Sequence, residues 1–169
     1  MKLELGSLAK RDGWTTMDVD GGCDIQHDLM KPLPFPDNSI EQIYSSHLLE
    51  HFSFPDMIKL LKECYRILIP NGMFDACVPN MRPFIEAYFK PEGSFEWLPD
   101  YRVFHYFSRI DWINYMGYLD GIHKWMFDDE NLPLIIASVG FRNVRSREYK
   151  EGLDMPHRKH ESVYVEGIK

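Results

Sequence analysis

The sequence predicts an α/β sandwich on a mostly parallel sheet with an antiparallel C-terminal strand. Three observations predict it. Short apolar runs alternate along the chain with stretches of helical period. One stretch, from Pro55 to Leu68, repeats apolar residues at three and four, the mark of an amphipathic helix. Glycine, serine and acidic residues stand where the early apolar runs end, as at the ligand edge of a parallel sheet.

The elements follow in order. Lys2 to Leu5 is a short strand ending at Gly6, and Trp14 to Val19 is a second that ends among Asp18 and Asp20. Only Ser7 to Gly13 separates them, whereas a parallel crossover generally needs a dozen residues or more and a helix. The first crossover helix is therefore expected to be missing or reduced to a turn, leaving one sheet face partly uncovered for a possible homodimer partner. Asp24 to Ile25 is a very short third strand leading into His27, Asp28 and Leu29. Prolines and turn formers make Pro32 to Ser39 a loop. Ile40 to Tyr44 is the fourth strand, followed by Ser45 and Ser46.

The amphipathic helix starts at Pro55 and Asp56 and is expected to stop at Pro70-Asn71-Gly72. Met73 to Val78 is a strand closed by Pro79, and Asp128 to Val139 a helix stopped by Gly140. Phe141 to Tyr149 and Ser162 to Gly167 are the last strands, expected as antiparallel neighbours.

Length and charge bound the function. A chain of 169 residues with 44% hydrophobic residues suits one domain with a real core. A net charge of −7 gives no help with phosphate backbones, so no nucleic-acid partner is expected. The one noticeably basic segment, Arg142 to Lys159, is interrupted by acids and reads as a solvated strand and loop. Cys23, Cys64 and Cys77 form no C-x-x-C pair, which suits reduced thiols and a cytoplasmic location. No leader peptide or membrane span is expected.

The informative residues fall at strand ends. Gly6 lets backbone approach a ligand closely. Asp18 suits a ribose diol, because a carboxylate can accept both hydroxyl protons; Asp20 is its rival. Asp28 suits an adenine amino group. Ser45, Ser46 and His47 follow the fourth strand. His47, Glu50 and His51 also spell H-x-x-E-H, a zinc-peptidase signature. That reading requires both histidines on one continuous helix, yet here the string directly follows a strand. Glu50 and His51 are expected to be scaffold, and no metal ligand is assigned.

Several segments together carry a resemblance. "KLELGS" (2–7), "GWTTMDVD" (13–20), "DIQHDLMKPLPFPDNSIEQIYSSHLLEHF" (24–52) and "ECYRILIPNGMFDACVPN" (63–80) are four of them. "HKWMFDDENLPLIIASVGFRNV" (123–144) and "ESVYVEGIK" (161–169) complete the set. In order and spacing the chain resembles the class I S-adenosylmethionine-dependent methyltransferases, in particular the small type 11-like enzymes. The resemblance implies a Rossmann-like sandwich and S-adenosylmethionine as cofactor, with S-adenosylhomocysteine as product. It implies cofactor binding by Glu4, Gly6, Ser7, Asp18, Asp28, Leu29, Ser45 and Ser46. The chemistry of that cofactor leads to an expected methyl transfer to O or N of a small-molecule or glycan-like acceptor, with His47 or His123 assisting as acid–base groups. One departure is Leu8, which stands where the family carries its second loop glycine. That departure and the reduced first helix leave an inactive methyltransferase-like binding or assembly module as the alternative, and a zinc hydrolase as a remote one.

The whole chain is expected to be a single domain, with residues 83–125 as an aromatic cap or lid over the acceptor. The stretch holds thirteen aromatic residues from Phe84 to Trp125, together with His105 and His123.

Overall fold

The computed structural model describes residues 1–90 and 107–169. The described strands are β1 Lys2–Leu5, β2 Thr15–Asp18, β3 Ile25–Gln26, β4 Ile40–Ser46, β5 Leu68–Pro79, β6 Arg142–Arg147 and β7 Ser162–Ile168. They form one sheet in the order β3-β2-β1-β4-β5-β7-β6. The first five pair in parallel, and β7 lies antiparallel to both β5 and β6. The helices are α1 Phe54–Ile67, α2 Arg82–Tyr88, α3 Ile110–Tyr118 and α4 Asn131–Ser138. Strand order reverses at the β1–β4 pair, which makes the carboxyl end of those strands the natural ligand crevice. Among the described residues no helix is long and apolar enough to cross a membrane.

The two faces of the sheet differ in chemistry. On one, the register rows Leu3–Ile43–Phe74 and Leu5–Ser45–Ala76 face an apolar core. Met57, Leu60, Leu61 and Ile67 of α1 and Leu132 and Ile136 of α4 complete that core. α1 begins as its sequence demands: Ser53 accepts a hydrogen bond from Asp56 N at 3.4 Å, and Pro55 sits in the first turn.

The other face is polar. Thr16, Glu4, Tyr44, Asp75, Glu166 and Arg145 are register partners across it. Here the first crossover helix is absent, as expected: Arg11 and Trp14 bridge in a tight turn between β1 and β2. The face is not left bare. Arg11 donates to Glu4 Oε2 at 3.1 Å and to the carbonyls of Gly152 and Leu153, while stacking over Trp14 and Tyr44. Arg147 joins Asp75 and Asp154, and the Tyr44 hydroxyl donates to Asp154. The segment between β6 and β7 thus covers part of the face with the chain's own residues.

Two sequence expectations change. The segment 142–159, read as solvated, contains Arg147, whose side chain is only 5% exposed. Of its carboxylate partners, Asp75 lies 72 residues away on β5 and Asp154 in the loop after β6, so no periodic pattern around Arg147 signals its burial. Also, Pro70-Asn71-Gly72 does not separate α1 from the next strand but bulges within β5. Pairing with β4 jumps from Ile40–Leu68 to Gln42–Met73. Asn71 takes a left-handed φ of 63° and donates to the Lys169 carbonyl.

The loop 32–38 is tied to α1 through the Glu63–Arg66 pair and the ion pair of Arg66 with Asp37. Glu63 Oε2 accepts from Leu33 N at 2.8 Å and from Arg66, which also donates to Leu33 O and Phe35 O. Arg66 and the Leu33 amide hold the Glu63 carboxyl below its ordinary value near 4.5. Ionised Glu63 is therefore stabilising above about pH 4.5, and that contribution is lost as pH falls through its depressed folded value. Thermal melts between pH 3 and 6 are expected to show a shallower acid loss in Glu63→Gln than in wild type.

α2 and α3 build a second, smaller cluster from Met81, Phe84, Ala87 and Met116, with Trp112 and Met126 against it. These helices fall, but for Arg82, within the stretch 83–125 expected as the cap. Its segment 91–106, with Phe95, Trp97, Tyr101, Phe104, His105 and Tyr106, lies outside the described residues.

Candidate active site

A cleft of about 450 Å³ opens at the carboxyl ends of β1, β2 and β4. Glu4, Gly6, Ser7, Leu8 and Ala9 line it from β1 and its turn; Asp18 and Asp20 from β2. Ser46, His47, Leu48 and His51 line it from the end of β4, and Met155 and Arg158 from the β6–β7 connection.

Gly6 ends β1 with φ 77° while its N–H donates to Met17 O at 2.9 Å. A Cβ there would stand 2.8 Å from Leu48 Cδ1, so both conformation and space call for glycine. The turn continues against the 20–24 loop: a Cβ on Gly22 would come 2.6 Å from the Leu8 carbonyl oxygen. This close approach fixes the loop without the helix that usually follows it. The Leu8 side chain is exposed on the cleft rim.

The Asp18 Oδ1 accepts from Asp20 N at 2.9 Å, which ties the two rival acids into one turn. Asp28, Leu29 and Ser45 are not among the cleft-lining residues. Asp28 caps a turn through Met30 N, and Leu29 belongs to the apolar core. The Ser45 Oγ is buried with no hydrogen-bond partner. Ser46 is held by Arg158, which donates to its Oγ at 2.8 Å and its carbonyl at 3.0 Å. Sequence reasoning missed Arg158, which stands 112 positions from Ser46.

The H-x-x-E-H string does not form the peptidase helix. His47 has φ 50°, Leu49–His51 is a single 3₁₀ turn, and α1 starts only at Phe54. His47 Nε2 instead meets Ser162 Oγ at 2.7 Å. Burial, reinforced by Arg158, pushes the His47 pKa down to about 2, so its imidazole is neutral. His123 lies behind the cleft wall, its ring 5.1 Å from that of His51, and burial lowers its pKa too. Glu50 is 1% exposed, and burial raises its carboxyl pKa to about 8.

Sequence comparisons point to one family. Residues 7–75 match a family model described as a methyltransferase domain. A probable S-adenosylmethionine-dependent methyltransferase of Mycolicibacterium smegmatis is 34% identical over 61 residues, covering 36% of this chain and 23% of that protein. The chain carries a class I S-adenosylmethionine-dependent methyltransferase domain.

A second relative of the methyltransferase domain is the ubiquinone/menaquinone biosynthesis C-methyltransferase of Rickettsia akari. It is 30% identical over 134 residues, covering 74% of this chain and 48% of that protein. The chain thus spans less than half the length of these two curated relatives. The crystal structure of a methyltransferase from Archaeoglobus fulgidus shares the fold, with a TM-score of 0.63 at 16% identity. That match covers 99% of this chain and 85% of the other. The Rossmann-like sheet, mostly parallel with antiparallel C-terminal strands, is the family architecture.

Proposed function

We propose that this chain transfers a methyl group from S-adenosylmethionine to an oxygen or nitrogen of a small-molecule or glycan-like acceptor. The observation that carries the reading is the cleft at the reversal of strand order, with the Gly6 turn and the Asp18 carboxylate on adjoining strand ends. These residues fit the cofactor. Gly6 leaves no room for a Cβ, so its backbone can border the ligand directly. Asp18 spends Oδ1 on its own turn, and its second oxygen suits ribose hydroxyls. Glu4 suits the cofactor's ammonium group, although Arg11 shares its Oε2.

The sulfonium supplies an electrophilic methyl group for in-line displacement. The protein's share is to align the acceptor and exclude water. His47, neutral and held by Ser162, serves better to orient than to take up a proton. His123 acts at one remove, supporting the His51 ring on the cleft wall. The cysteines are free, which favours a reducing compartment such as the cytoplasm.

Calorimetric titration with S-adenosylhomocysteine tests the reading. Saturable heat with a matching thermal shift is expected; neither effect at millimolar ligand would sink the proposal. A second reading, a methyltransferase-like module that binds without turnover, is favoured by Leu8 on the cleft and by Arg11 on Glu4. Tight binding with no methyl transfer across a broad acceptor panel would select it.

A further inference from the structure

Glu50 presents an energetic problem that the methyltransferase reading does not use. Its side chain is only 2% exposed, and neither carboxylate oxygen has a hydrogen-bond partner. An isolated buried carboxylate is costly, and such groups are ordinarily paired or bound to metal. Its nearest polar neighbours stop short of bonding: His51 Nε2 and His47 Nδ1 both lie 3.9 Å from Oε1.

The adjoining histidines are prepared for something other than each other. His123 Nδ1 meets the Met116 carbonyl at 2.8 Å, and His51 Nδ1 approaches the Ile122 carbonyl at 3.4 Å. A carbonyl only accepts, so each Nδ1 carries a proton, and in the neutral imidazole Nε2 then keeps its lone pair. This is the outer-shell arrangement that fixes metal-binding imidazoles. The backbone locks the groups together as well. The Glu50 carbonyl accepts from Lys124 N at 2.7 Å and Trp125 N at 3.3 Å, pinning the loop of His123 against the 3₁₀ turn. One ligand atom from each of Glu50, His51 and His123 lies within 4.8 Å of the other two.

We propose that Glu50, His51 Nε2 and His123 Nε2 form a binding site for a divalent transition metal, with Zn²⁺ the best fit. A carboxylate and two neutral imidazoles are a zinc donor set. Bonds of about 2.0–2.2 Å place tetrahedral ligand atoms about 3.4 Å apart, which modest side-chain rotation reaches from the observed spacing. The ligands differ from the pair the H-x-x-E-H string suggests, since His47 is given to Ser162 and His123 comes from the segment that follows α3. Three protein ligands leave a position for water, and His51 borders the cleft. The site stands whether or not the cleft transfers methyl groups, because its test is binding alone.

The full chain, freed of metal by chelation, is titrated with Zn²⁺ and Co²⁺. One equivalent of Zn²⁺ is expected to bind and raise the melting temperature, with Co²⁺ giving the visible absorption of a low-coordinate site. Glu50→Gln and His123→Gln are expected to weaken binding by at least about 100-fold. Without metal, Glu50→Gln is expected to melt no lower than wild type, since it replaces a buried carboxyl whose oxygens have no hydrogen-bond partner with a neutral group of the same shape. That variant keeps the test valid if His123→Gln folds poorly. No binding of either ion by the wild-type chain would overturn the proposal, as would binding unchanged in Glu50→Gln.

Discussion

Arg147→Ala is expected to lower the stability of the fold by about 3–5 kcal/mol, the usual consequence of stripping one partner from a buried charge cluster. For a chain of this size that is a fall in melting temperature of roughly 6–20 °C. The guanidinium donates from Nε to Asp75 Oδ1 at 2.9 Å, and from Nη1 and Nη2 to the two oxygens of Asp154 at 2.6 and 2.9 Å. Asp75 and Asp154 have side chains with no exposure. Burial opposes the charge on Arg147, but hydrogen bonds and attraction from Asp154 and Asp75 outweigh it, and its pKa is raised. Removing the cation leaves two carboxylates facing each other out of water. Lys150, half-exposed and 3.7 Å from Asp75, is too solvated to replace it. The triple change Arg147→Met, Asp75→Asn, Asp154→Asn should recover most of the loss, because it deletes the charges together. Urea unfolding of the set decides the matter. A loss below about 1 kcal/mol for Arg147→Ala would mean that water reaches these acids in solution.

The same cluster explains what the sequence could and could not reveal. The apolar face was legible because burial there leaves a periodic trace: Leu3 and Leu5 alternate with Lys2 and Glu4, and α1 repeats at three and four. The polar face leaves none. Glu4, Asp75 and Glu166 look like solvent-facing strand residues, and only the strand order brings Arg11, Arg147 and Lys150 over them. The crevice was half legible for a related reason. Gly6 and Asp18 declare themselves by ending short strands, since the ligand edge of a parallel sheet is made of such ends. Met155 and Arg158 arrive there from more than 100 positions beyond β4, through a loop whose path depends on Arg11 and Asp154. His51 and His123 likewise meet only because Glu50 O holds the backbone of Lys124 and Trp125.

Asp18→Ala is expected to weaken S-adenosylhomocysteine binding by about 10–100-fold, in line with about 1.5–3 kcal/mol for hydrogen bonds to a charged group. The fold itself should change little, because Asp18 is a half-exposed strand end outside the apolar core. Asp20 provides the internal control. It borders the same cleft, but it is exposed and follows β2, and its own amide is held by Asp18 Oδ1. Asp20→Ala should therefore cost less than about threefold in affinity, the scale of an exposed polar contact. Asp18→Asn separates two roles of the first acid. Its amide oxygen can still accept from Asp20 N and keep the turn, yet it cannot offer two anionic acceptors to a diol. If affinity falls in Asp18→Asn nearly as far as in Asp18→Ala, the carboxylate acts on the ligand directly. If Asp18→Asn binds like wild type while Asp20→Ala fails, the ribose acid is Asp20, and the cofactor lies nearer the 20–24 loop than the end of β2 implies.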